Sequence, residues 1–179
     1  MKKVIGFFGH RTLLKSDIKE RLKAEIEANI RGEVHCLIGT HGMFDELALS
    51  VCREMRKTHP QIKITVVLTS LNMLGRNQNE DFSLVDVYGD VETMFYEIEE
   101  EHFKRRITST NRKMVEDCDL IICYVDMQRK KSGAKTAVKY AIKHGKEVVN
   151  IYQEKDRLSF EELKARIDEG WQRMCNKKK

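Results

Sequence analysis

The chain has 179 residues, of which 41% are hydrophobic and 34% charged, and 33 basic residues against 28 acidic ones leave a net charge of +5. That balance excludes a disordered polymer, and the length suits one domain, residues 1–179, with a full core. The basic excess is modest and partly sits at the ends, in Lys2, Lys3 and Lys177–Lys179, so it does not define a nucleic-acid surface.

Met1-Lys2-Lys3 leads into too short an apolar stretch for a signal peptide, and no apolar run reaches the ~18–20 residues of a membrane span. The expected location is therefore the cytoplasm, with no membrane partner. Cys36, Cys52, Cys118, Cys123 and Cys175 show no CxxC pairing and read as reduced structural thiols. The histidines lack metal-ligand spacing, so neither a metal nor a cofactor is expected.

In chain order, Val4–Phe8 reads as a strand, because a continuous apolar run suits a parallel strand covered on both faces. Asp17–Ile30 follows as a helix, with Ile18, Leu22, Ile26 and Ile30 four apart and Asp17 with Glu20 as a capping pair. Val34–Ile38 is the next strand. After it, Phe44, Leu47, Ala48, Val51, Cys52 and Met55 share one helical face. Ile62–Leu68 is a third strand.

Leu71–Ile107 holds no clear strand. A polar run, "NMLGRNQNEDFS", precedes Tyr88-Gly89-Asp90-Val91-Glu92 and then a helix over "TMFYEIEEEHFKRRI", where Glu100–Lys104 and Glu101–Arg105 are favourable i,i+4 pairs. The region around 71–107 reads as a loop-and-helix insertion of the kind that forms lids or binding loops. Leu120–Val125 and Val148–Tyr152 are two further strands. Between them lies a helix carrying Ala134, Ala137, Val138, Ala141 and Ile142, stopped by Gly145. Ser159 and Glu162 form a capping box for a last helix with Phe160, Leu163, Ile167, Trp171 and Met174 inward.

Strands alternating with helices through short connections make a three-layer α/β/α protein with a mostly parallel sheet of about five strands. Ligands of such sheets sit beyond the carboxyl ends of the strands. Four loops therefore matter: Gly9-His10-Arg11; Gly39-Thr40-His41-Gly42 with Phe44 and Asp45; Thr69 onward; and Asp126 with the basic residues 129–131 and Ser132-Gly133-Ala134-Lys135-Thr136. Glycine at a strand-to-helix turn lets backbone approach a ligand, and the helix N-terminus offers unpaired N–H groups, a combination that suits a phosphate. Asp45 and Asp126 have the sign to accept from ribose hydroxyls or a base amine. Neither G-x-G-x-x-G nor G-x-x-x-x-G-K-[ST] occurs, which excludes a standard NAD-dependent dehydrogenase and a P-loop NTPase.

The segments "GFFGHR", "IGTHGMFDELAL", "TNRKMVEDCDLIICYV" and "SGAKTAVKYA", in that order between Val4 and Tyr152, resemble the SLOG superfamily. This is the Rossmann-like group of the LOG-type phosphoribohydrolases and the DprA fold, and within it the YpsA-like family is the nearest likeness. The resemblance implies a pocket for a nucleotide or nucleotide derivative. By position it assigns Gly9, His10 and Arg11 to the first-strand motif, Gly39, Gly42, Phe44 and Asp45 to the second turn, Asn111 to a polar residue ahead of the fourth strand, and Ser132, Gly133 and Ala134 to the phosphate-binding helix start. Glu92 loosely matches a glutamate of the YpsA-like middle segment.

LOG-type enzymes carry P-G-G-x-G-T-x-x-E, whose glutamate acts in cleaving the N-glycosidic bond. Here Ala137, Val138, Lys139 and Tyr140 follow Thr136, with no acid in that place, and Asn111 stands where those enzymes have arginine. The expectation is thus a module that binds a small nucleotide derivative as sensor or sequestering protein through Gly9, His10, Arg11, Gly39, Thr40, Gly42, Phe44, Asp45, Asn111, Asp126, Ser132, Gly133, Ala134 and Thr136. The alternative is a nucleoside-phosphate N-glycosidase using Asp45 or Glu92 as its acid or nucleophile. DprA-like binding of single-stranded DNA is the third reading, disfavoured because basic and aromatic residues do not interleave. The relatives often dimerise, which makes a homodimer the expected self-association.

Overall fold

In the computed structural model, residues 2–12, 17–69, 87–99 and 102–157 are described. The strands are β1 (Lys2–Gly9), β2 (Glu33–Ile38), β3 (Ile62–Leu68), β4 (Glu92–Phe95), β5 (Leu120–Tyr124) and β6 (Glu147–Asn150). They form one sheet in the order β4-β3-β2-β1-β5-β6, parallel at every pairing. The helices are α1 (Ile18–Ala28), α2 (Met43–Arg56), α3 (Phe103–Asp117) and α4 (Gly133–Lys143).

Side chains alternate across the sheet, so each strand feeds two cores. On one face Ile5, Phe7, Cys36, Ile38, Leu120, Ile122 and Tyr124 pack against Leu22, Ile26, Phe44 and Cys52 of α1 and α2. On the other, Phe8, Leu37, Val67, Ile121 and Cys123 meet Met114 and Val115 of α3 and Val138 and Ala141 of α4. Every residue of β5 is buried, which is why the run reads as continuous apolar sequence. Cys36, Cys52, Cys118 and Cys123 are free thiols inside these cores.

The chain departs from the sequence reading in four places. The stretch 93–107 is not one helix: Thr93–Phe95 belong to β4, and α3 begins only at Phe103, with the His102 ring accepting from the Lys104 N–H. The reason is tertiary. The open edge of β3 offers a hydrogen-bonding ladder, and Met94 and Tyr96 gain packing against the second core, which outweighs helix propensity. The strand from Leu120 stops at Tyr124, because the side-chain amide of Asn150 takes both backbone groups of Val125, at 3.1 and 2.8 Å. The same amide oxygen accepts from the Tyr152 N–H and turns the chain out of β6 after Asn150.

At the head of α1, the Asp17 side chain makes no capping bond. Its carboxylate is drawn instead to Arg21 and Lys155, both at 3.2 Å. Gly145, by contrast, ends α4 as its place predicts, with a φ of 68°. The helix expected after Ser159, the run 70–86, and Glu100 and Glu101 lie outside the described residues. Among the described residues no helix is long and apolar enough to cross a membrane.

Candidate functional site

The chain adds β2, β3 and β4 on one side of β1, then returns to add β5 and β6 on the other. The strand order therefore reverses between β1 and β5, and ligands of open parallel sheets bind outside that point. A cavity of about 280 Å³ opens there, lined by the loops after β1, β2 and β5, the starts of α2 and α4, and one face of α3. Of the residues singled out from the sequence, Gly9, His10, Arg11, Gly39, Asp45, Asn111, Ser132, Gly133 and Ala134 line it.

His10 is the strut of this end of the molecule. Its ring is buried, and Nε2 accepts the backbone N–H of Asp126 at 2.7 Å. An Nε2 that accepts carries no proton, so the ring is the Nδ1–H tautomer, and that N–H faces the Ser132 hydroxyl at 3.4 Å. Burial, helped by Arg129 and opposed by Asp126, lowers the imidazole's pKa and keeps it neutral. Ser132 in turn caps α4, its hydroxyl accepting the Lys135 N–H at 3.2 Å. One imidazole thus ties the β1 loop to the β5 loop and to the head of α4.

The second turn is closed by its own side chains. A Cβ on Gly9 would stand 2.2 Å from Phe44, and one on Gly42 would stand 2.7 Å from the Arg11 backbone, so both glycines let α2 dock on the β1 loop. Phe44 is fully buried and stacks on Tyr124, with ring centroids 6.1 Å apart. Asp45, in the first turn of α2, accepts the His41 N–H at 2.7 Å. Part of its carboxyl faces the cavity, yet protein atoms surround it closely enough that burial raises its pKa to about 6, against backbone N–H groups that lower it. His41 also lines the cavity; Nε2 lies 3.1 Å from the Thr69 hydroxyl, and burial, then Arg11, lower its pKa.

At the third wall, Arg129, Lys131, Ser132, Gly133 and Ala134 face the cavity. A Cβ on Gly133 would meet nothing within 4 Å, and its φ is not positive, so nothing inside the protein requires glycine there. As the first residues of α4, Gly133 and Ala134 have N–H groups with no partner within the helix.

The other candidates stand outside the lining. Phe44 and Gly42 serve the packing just described. The Thr136 hydroxyl donates to the Ser132 carbonyl, while that of Thr40 is buried without a partner. Asp126 is held by Arg157 through two bonds, at 2.8 and 3.1 Å, and by the Gln128 N–H. Glu92 opens β4, at the end of the strand away from the cavity, and accepts from Thr65, which also touches His35. Among the described residues, no group of three His, Cys, Asp or Glu side chains is placed to hold a metal ion.

Two contributors escaped the sequence reading. Ile107 and Met114 line the cavity beside Asn111, and their i, i+4, i+7 spacing was a legible signal once a helix was placed there. The other is the segment after β6. Arg21 grips the fully buried Asp156 through two bonds, at 2.8 and 2.9 Å, and so seats the residues that bring Arg157 onto Asp126. Nothing local in the sequence joins positions 21 and 126 to 156 and 157.

No protein-family model matches the chain, and no curated protein matches it. Among solved structures it is similar to DNA processing protein A (DprA) from Streptococcus pneumoniae, at 15% identity and a TM-score of 0.55 over 82% of this chain and 49% of that one. The chain thus spans about half the length of that protein. At this identity the likeness is one of fold: the protein is a Rossmann-like α/β protein related in architecture to DprA.

Proposed function

We propose that the cavity binds a small nucleotide or nucleotide derivative, as a sensing or sequestering module of the SLOG type and YpsA-like kind. The observation that carries this reading is Gly133, a glycine that opens a helix, faces a cavity and has no neighbour of its own to accommodate. Such a position lets a phosphate oxygen reach the free N–H groups of the first turn. Arg11, Arg129 and Lys131 supply positive charge along the same cavity.

The test is thermal unfolding with AMP, the other nucleoside monophosphates, ADP-ribose and NAD. A ligand at ~100 times its dissociation constant adds about 2.7 kcal/mol, a rise of roughly 5–10 °C for a chain of this size. Gly133→Asp is expected to abolish that rise by placing a carboxylate where the phosphate sits. Gly133→Ala is expected to melt no lower than the parent protein, since its methyl group has open space. An undiminished rise in Gly133→Asp would remove the assignment.

A nucleoside-phosphate N-glycosidase is the second reading, favoured by one observation. Asp45 holds its proton to about pH 6 while touching the cavity, as a general acid requires. Release of free base that disappears in Asp45→Asn would establish it; intact nucleotide after prolonged incubation would leave the binding module alone.

A further inference from the structure

The two ends of the cavity differ in chemistry. The β5–α4 end is cationic and rich in N–H donors, through Arg129, Lys131, Ser132 and Gly133. The β2 end carries the His41 ring and the apolar Ile107 side chain, beside Arg11 and the Asp45 carboxyl. β2 and β5 both flank β1, so these ends lie two strand spacings apart, about 10 Å. A nucleoside monophosphate reaches across such a gap from its phosphate to the body of its base, and a sugar phosphate does not.

Helix α3 bridges the two ends with a single stripe. Phe103, Ile107, Asn111 and Met114 fall on one face at i, i+4, i+8 and i+11, a run of about 16 Å. Exposure climbs along it, from Met114 at 1% to Phe103 at 44%. At the open end, the Phe103 ring stands edge-to-face with His41, centroids 6.1 Å apart and planes at 85°. The Thr69 hydroxyl holds the His41 ring through Nε2, at 3.1 Å. An edge-to-face pair leaves ring faces free for a third planar group.

We propose that the β2 end of the cavity, lined by His41 and Ile107 and rimmed by the exposed ring of Phe103 that stands against His41, is a nucleobase subsite, so that the ligand is a nucleoside phosphate and not a sugar phosphate. The assignment rests on the nucleotide reading above and adds its orientation: phosphate at Ser132–Gly133, base against Phe103. His41, whose pKa is lowered by burial and then by Arg11, offers the base a ring that carries no charge of its own. Base stacking on an aromatic side chain tolerates every base, so Phe103 sets the ligand class and not the choice among bases.

Calorimetric titration of the four nucleoside 5′-monophosphates and of ribose 5-phosphate tests this in the parent protein, Phe103→Ala and Phe103→Tyr. The parent is expected to bind at least one nucleotide more tightly than ribose 5-phosphate. Phe103→Ala should weaken that nucleotide by about 5- to 100-fold, leave ribose 5-phosphate unchanged and melt within a few degrees of the parent, while Phe103→Tyr keeps parental affinity. Nucleotide affinity untouched in Phe103→Ala, or an equal loss for both ligands, overturns the base subsite. Ribose 5-phosphate bound as tightly as every nucleotide also overturns it, leaving the anion end intact. Uptake of none of these phosphates by the parent protein overturns the nucleotide reading itself, and this one with it.

Discussion

The two ends of the sheet each carry a cavity, and the larger one is the less interesting. At the amino ends of the strands, a cleft of about 520 Å³ is lined by Lys2, Lys3, Asn29, Arg31, Glu33, Asp119 and Glu147. Its polar groups answer one another: Lys3 binds Asn29 at 2.9 Å and Glu147 at 3.3 Å, and Asp119 accepts the Val4 N–H. At the carboxyl ends the cavity is half that size, but helix N-termini open into it and no carboxylate pairs with Arg11, Arg129 or Lys131 among the described residues. Volume is not what singles out the candidate site. Cations without a carboxylate partner and the free N–H groups of Gly133 and Ala134 are, because they represent interactions the protein has not completed within itself.

The contrast can be broken from its foundation. The carboxyl end depends on the strap after β6, and Asp156→Ala would remove the buried carboxylate of that pair, leaving the half-buried Arg21 guanidinium to Asp17. A loss of about 2–3 kcal/mol is expected in urea unfolding, with weaker nucleotide binding in the protein that remains folded. A change below about 1 kcal/mol would show that the strap is an ornament of the fold.

Asp45 gives the next largest effect, and its sign is specific. An acid whose pKa is raised on folding holds its proton more tightly in the native chain, so stability falls as pH climbs from about 4 to about 6 and is flat above. His10 and His41, with lowered values, have the opposite slope, losing stability as pH drops below about 6.5. The difference between Asp45→Asn and the parent isolates what Asp45 contributes. The variant should gain roughly 1–2 kcal/mol at pH 7 over its relative stability at pH 4, after allowance for partial solvent contact and the backbone bonds the carboxylate receives. Parallel stability curves across that range would mean that folding does not raise the Asp45 pKa.

The smallest effects compare the two ends directly. Arg129→Ala and Lys131→Ala are each expected to weaken nucleotide binding about 5-fold at low salt, with the loss shrinking as salt screens the site. Lys3→Ala, at the amino end, should leave affinity unchanged and cost no more than about 0.5–1 kcal/mol, as exposed pairs do. Equal effects of all three would erase the distinction between the cavities.

Much of the scaffold was legible before any coordinates. Val34–Ile38 and Ile62–Leu68 read as strands because parallel strands are buried on both faces and must be apolar throughout. The four-apart spacing of Ile18, Leu22 and Ile26 announced the inner face of α1 just as clearly. β4 was not legible, since "TMF" gains its strand only from the free edge of β3.

The same division runs through the site. Sequence alone determined that glycine and hydroxyl residues would follow the strands and open α2 and α4, because those requirements are local: turn geometry, helix capping and strand periodicity act over a few neighbouring residues. Only the tertiary structure decided which of them face the cavity. It turned Gly9 and Gly42 into packing surfaces for Phe44 and Arg11, gave His10 to the Asp126 backbone, and left Gly133 open to the cavity. It also set Phe103 beside His41 and Arg157 upon Asp126. These pairings join residues 31 to 62 positions apart, and a contact of that kind exists only once the sheet has brought distant segments together.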